Sequence, residues 1–185
     1  MMALQMSDFV VQYIFGGVDN SLKKDIKCFW EDNISAYKLE TNEHVVESKR
    51  TNSKAKVGPP LRRQPAAIAR NRSGEVVGIV VVVLRQLDSE LNLGTHAYFQ
   101  RMYVSKNSRS ARLAYRLYQD FLQGFIAAKD SRDHRARYLM AENRNPRLRN
   151  SFIRKYFTKL GFRMLGSNDI DSEIWSLQLI TSYSL

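Results

Sequence analysis

The chain has a single cysteine, Cys28, so no internal disulfide can form and nothing points to an oxidising compartment. Its three histidines, His44, His96 and His134, are scattered, with no metal-ligand spacing among them. No apolar run approaches the ~20 residues needed to span a bilayer. The longest, 79–84, is the size of a strand. The N-terminus lacks a basic patch followed by an apolar stretch and a small-residue cleavage site, so no secretory signal is read and a cytosolic protein is expected. Acidic residues are scarce in one region. Between positions 101 and 163 there are 16 Lys plus Arg against 4 Asp plus Glu, a net of +12, while the whole chain carries +11. An excess confined to one part suggests a polyanionic ligand or partner; the alternative is a solvated basic face.

What is present is enough for a folded domain. The chain has 185 residues, 44% of them hydrophobic and 11% aromatic, and is expected to form one domain over 1–185. Residues 9–15 are β-branched and aromatic and read as a strand closed by Gly16-Gly17. Asp19-Asn20-Ser21 offers an N-cap for a helix to about position 33, with Leu22, Ile26, Phe29 and Trp30 on one face. A weaker helix is expected over 42–50, and a basic loop over 51–65, which contains Gly58-Pro59-Pro60. Two strands, 66–70 and 75–87, are joined by the turn 71–74; the second is nearly all Val, Ile and Leu, broken by Gly78, as in a strand buried on both faces. A strand is expected at 96–104, then a strong helix at 109–128, where Leu113, Leu117, Phe121 and Phe125 recur every four residues. The remainder reads as a short strand at 138–142, a helix at 150–160 ended by Gly161, and strands at 162–165 and 173–180. This order predicts an α/β (α+β) domain with a mixed sheet.

The stretch from Val104 to Ala114 carries the most chemical information. A strand ends at Val104, and Arg109-Ser110-Ala111-Arg112 leads into the amphipathic helix. Such a turn leaves the first amides of the helix without acceptors and directed at one spot, which attracts phosphate.

The element order and two motifs resemble the GNAT superfamily of acyl-CoA-dependent N-acyltransferases. One motif is a strand ending in Val, followed by Arg109-Ser110-Ala111-Arg112-Leu113-Ala114; Arg112 stands where the family usually has Gly. The other is Asn150, Ile153, Phe157 and Lys159-Leu160-Gly161-Phe162. The resemblance covers roughly 66 to the C-terminus. It implies a GNAT-like, mostly antiparallel central sheet of about six to seven strands flanked by helices, splayed between the strands ending at Val104 and Glu142. It also implies acetyl-CoA, or another acyl-CoA, as cofactor. The backbone of Met102, Tyr103 and Val104 would meet the pantetheine arm, and Arg109, Ser110, Ala111, Arg112, Leu113, Ala114 and Asn150 would complete the cofactor site. Arg112 could crowd the pyrophosphate or set a guanidinium beside it.

Transfer calls for a base and an acid. Phe157 occupies the position where many family members carry a Tyr acid. Tyr156 is next to it, but one helical residue turns the side chain by ~100°. Glu142, His96 and Gln100 are candidates for the base, and Glu142 could instead pair with one of the arginines. Two functions follow. One is N-acetyl transfer to an amine on an acidic protein or a nucleic acid. The other is a binding module that has lost the chemistry and contacts nucleic acid or an acidic protein through Arg132, Arg135, Arg137, Arg144, Arg147 and Arg149. Cys28, beside Phe29 and Trp30, is expected to be a small core residue.

Overall fold

The computed structural model describes residues 8–41, 57–167 and 172–179. Seven strands form one sheet in the order β1-β2-β3-β4-β5-β7-β6. They are β1 (Phe9–Tyr13), β2 (Val57–Asn71), β3 (Val76–Leu87), β4 (His96–Val104), β5 (Ala136–Asn143), β6 (Arg163–Ser167) and β7 (Glu173–Gln178). The helices are α1 (Asn20–Glu40), α2 (Ala111–Ala127) and α3 (Ser151–Lys159). The sheet is mostly antiparallel, and β4 and β5 run parallel. The chain forms two compact units, each made of discontinuous segments.

The first unit comprises 1–33, 64–81 and 102–128. The four-residue periodicity of α2 is realised there: Leu113, Leu117, Phe121 and Phe125 are buried, with Tyr118 and Leu122 widening the stripe. Each phenylalanine withdrawn from water contributes roughly 1.5–3 kcal/mol. Glycine allows this helix to lie close. A Cβ at Gly78 in β3 would stand 3.0 Å from Leu117 and 3.4 Å from Val104. β1 pairs with β2 from Phe9↔Asn71 to Tyr13↔Ala67, and Gly74 turns β2 into β3 with φ +84°.

The second unit comprises 34–63, 82–101 and 129–185. Its core packs Leu87, Ala97 and Met140 with Phe99, Tyr138 and Ile174. Phe157 of α3 lies 5.0 Å from Phe162 and 5.5 Å from Trp175, centroid to centroid. Gly161, at φ +88°, ends α3 as its sequence predicts.

Three expectations change. The loop expected at 51–65 is strand from Val57 onward. The prolines gave the loop reading, yet β1 reaches only Ala67, so they lie along a stretch of β2 where a missing N–H costs no bond to β1. Helix α1 runs seven residues past the expected end, to Glu40. Asn33, near the expected end, bonds back to the Phe29 carbonyl at 2.8 Å and stays helical, while Tyr37 extends the buried stripe. Cys28 is exposed, not core. The helix expected at 42–50 and positions 51–56 of the loop lie outside the described residues.

Candidate functional site

The turn from β4 into α2 lies within the first unit. Val104 is buried, a short 3₁₀ turn covers Lys106–Ser108, and α2 opens at Ala111. Ser110 caps the helix, its hydroxyl accepting from the Leu113 amide at 3.1 Å. That leaves Ala111 and Arg112 as the first-turn amides without an acceptor inside the helix. No acidic residue occupies this turn, so no carboxylate there opposes an anion. The Arg112 side chain is exposed and makes no hydrogen bond or ion pair among the described residues.

Arg109 behaves differently. Its guanidinium folds back and donates to the Val104 carbonyl, from Nη2 at 2.9 Å and Nε at 3.3 Å. It also lies 5.4 Å from the centroid of the Tyr103 ring, within the range of a cation–π contact. Trp30 stacks on that ring, with centroids 6.2 Å apart. The five-residue interval between Val104 and Arg109 is therefore the span a side chain needs to close the turn on itself. Arg109 fixes the shape of the turn, and the backbone amides present the positive end. Trp30 escaped the sequence reading as part of this arrangement, since its helix is distant in sequence from the turn.

Met102 is partly exposed, while Tyr103 and Val104 are buried. In the second unit, the parallel ladder of β4 and β5 has its last pair at Gln100↔Ala141. β4 then continues for four more residues to Val104.

The other predicted residues lie in the second unit. Glu142 is held in an ion pair with Arg144, Nη2 to Oε2 at 2.6 Å, both side chains largely removed from solvent. This removes Arg144 from the surface patch expected of it: its guanidinium neutralises a neighbouring carboxylate and is 4% exposed. Arg135 is likewise engaged, with Nε and Nη2 on the two oxygens of Asp133. Those bonds hold the Asp133 carboxyl down to about 2. Asn150 caps α3, accepting from the Ile153 amide at 3.0 Å and donating to the Arg147 carbonyl at 2.9 Å. Tyr156 is half-buried beside Phe157. Arg147 is exposed, and Arg132 and Arg149 are half-buried. His96 and Gln100 are buried, His96 Nδ1 lying 2.9 Å from Thr95 Oγ1.

One buried carboxylate was missed. Glu173, at the start of β7 opposite Asn143, pairs with Arg154 of α3 and accepts from Trp175 Nε1 at 3.2 Å. A strand-initial glutamate reads as solvent-facing, and only the aromatic cluster around it signals otherwise. Half-buried Glu142 and buried Glu173 are thus both bound to guanidinium groups. Among the described residues there is no group of three or more His, Cys, Asp or Glu that could hold a metal, and no helix long and apolar enough to cross a membrane.

No family model matches the chain, and neither does any curated protein. Solved structures do match. A protein of Acinetobacter baylyi proposed to be an acetyltransferase superposes with a TM-score of 0.55 at 14% identity, covering 96% of this chain and 95% of that one. The chain has the GNAT fold. The ribosomal-protein-S5-alanine acetyltransferase of Vibrio fischeri gives 0.54 at 10% identity, with 98% of both chains covered. A GNAT superfamily phosphinothricin acetyltransferase of Sinorhizobium meliloti, solved with AcCoA, gives 0.50 at 10% identity, covering 94% of this chain and 89% of that one.

Proposed function

We propose that the chain is a cytoplasmic N-acetyltransferase that moves an acetyl group from acetyl-CoA to a primary amine of an acidic macromolecule, a protein or a nucleic acid. The observation that carries this reading is the β4–α2 turn, closed by Arg109 on the Val104 carbonyl and opening on uncommitted first-turn amides, within the GNAT fold. Acetyl-CoA would supply an activated thioester. The amides of Ala111 and Arg112 would take its pyrophosphate, with the dipole of a 17-residue helix behind them. Arg112, exposed at the head of that helix, would add a guanidinium to the phosphates in place of the closer backbone approach a glycine gives. The main chain of Met102–Val104 would pair with the amides of the pantetheine arm as an added strand does.

With Phe157 in the acid's position and Glu142 bound to Arg144, positioning does most of the catalytic work. Attack on a thioester needs little beyond orientation when the amine arrives unprotonated. The net +12 between 101 and 163 repels polycationic acceptors and favours acidic ones. An acetyltransferase whose name specifies a ribosomal protein has this fold, which supports a macromolecular acceptor.

The second reading, a GNAT-fold binding module without turnover, is favoured by the same two features, the commitment of Glu142 and the aromatic packing of Phe157. Calorimetric titration with acetyl-CoA separates them. Wild-type protein should give saturable heat that falls at least tenfold in affinity in Arg109→Ala. No heat in the wild type would remove the transferase reading and leave the module.

A further inference from the structure

A second anion-attracting feature lies within the second unit, at residues that begin β4 and β5. A cavity of about 320 Å³ there is lined by Gly94, Thr95, His134, Arg135 and Arg137. Its walls are fixed by backbone bonds. The Thr95 carbonyl accepts from Leu87 N–H and the Arg137 carbonyl from Leu179 N–H, each at 2.8 Å. The intervening turn is pinned where Asp133 N–H donates to the Tyr98 hydroxyl at 2.9 Å. The local charge is positive: Lys129, Arg132, Arg135 and Arg137 stand against Asp130 and Asp133. The Asp133 carboxylate is already consumed by Arg135 through three hydrogen bonds.

The cavity carries an uncommitted guanidinium. Arg70, Arg116, Arg135, Arg144 and Arg154 each pair with a carboxylate, and Arg109 bonds a carbonyl. The Arg137 side chain makes no hydrogen bond or ion pair among the described residues, and His134 makes no hydrogen bond. Gly94, at φ +87°, leaves room beside the Arg137 stem, whose Cδ is 3.7 Å from where a Cβ would stand. The arginines, histidine and threonine that line this open cavity are residue types that can donate to a phosphate group.

We propose that this cavity binds a phosphate group, and that its ordinary source is the backbone of a single-stranded nucleic acid. The polymer is favoured because the site is open at the surface and sits in the chain's strongly basic region, and phosphodiesters are read by such regions without sequence. Its residues are not those of the proposed acetyl-CoA turn and take no part in that chemistry.

Fluorescence anisotropy with a labelled oligouridylate tests this. The wild type should bind at about 50 mM salt and weaken steeply towards 200 mM. Arg137→Ala should weaken binding about tenfold and shallow the log–log salt slope by about 0.7, one lost single-strand phosphate contact. Arg116→Ala, which removes a guanidinium already paired with Asp120, should leave both unchanged. Inorganic phosphate, followed by the shift of the His134 ring resonances, identifies the source. Saturable phosphate binding abolished by Arg137→Ala, with no binding of oligouridylate, keeps the anion site and assigns it to a small phosphate ligand. No binding of either probe, or equal losses in Arg137→Ala and Arg116→Ala, overturns the site.

Discussion

Gly124→Ala sets two effects of opposite sign against each other. Alanine is the better helix former, worth about 1 kcal/mol in the interior of α2. A Cβ at this position would, however, lie 2.5 Å from Tyr13 Cδ2, 2.6 Å from Cγ and 2.9 Å from Cε2. The Cγ contact decides the sign. An atom that near the root of a side chain cannot swing away, so relief requires β1 or α2 to move. Overpacking of this kind costs about 1–3 kcal/mol, and propensity returns about one of them. The expected net loss is up to about 2 kcal/mol, or up to about 8 °C in Tm for a chain of this size. Denaturant and thermal unfolding of wild type, Gly124→Ala, Tyr13→Ala and the double variant close the cycle. In the Tyr13→Ala background, where Cγ and the ring are gone, Gly124→Ala should be neutral or stabilising by up to about 1 kcal/mol. A single Gly124→Ala variant more stable than the wild type, or strict additivity around the cycle, would refute the close approach of α2 to β1.

Glu173→Ala removes the buried acceptor of Trp175 Nε1 and the partner of half-exposed Arg154, and should destabilise by about 1–3 kcal/mol, read as a drop in denaturant midpoint. Asp133 is held at about 2 from an ordinary 3.8 by Arg135, so its contribution is complete above about pH 4 and disappears as pH falls through about 2. The difference in Tm between wild type and Asp133→Asn should shrink over that window and be flat above it. Arg112→Gly restores close backbone approach and removes a counter-charge; on the reading above, acetyl-CoA affinity becomes more salt-independent, as calorimetry at two salt concentrations would register. Cys28 should react with a thiol reagent in the native protein at the rate of an unfolded cysteine, its exposure setting no barrier.

Much of the fold is legible because the determinants are local and periodic. The stripe of α2 is a four-residue repeat, β4 is bounded as its sequence reads, and Gly161 is the left-handed residue that ends α3. What escapes is set by partners distant in sequence. The length of α1 depends on Asn33 bonding back into its own helix and on Tyr37 being buried, and the strand character of 57–65 depends on which neighbours β2 has along its length. The site divides in the same way. The Val104-to-Arg109 interval is readable, but that the guanidinium turns inward to Tyr103 and Val104 rather than outward follows from the Trp30 stack. Arg144 and Glu142 are two residues apart in β5 and the segment after it, and only burial shows that they neutralise one another.

The chain has two tryptophans, Trp30 and Trp175, and they fall in different compact units. Trp30 is half-buried against Tyr103, while Trp175 is buried with its indole N–H on Glu173. Their emission therefore supplies a native optical label for each half of the molecule: a Trp175→Phe protein reports the surroundings of the β4–α2 turn, and a Trp30→Phe protein those of the Glu173–Arg154 pair. Coincident unfolding curves from the two would mark a single cooperative transition, and separated ones would resolve two melting bodies without any dye attached.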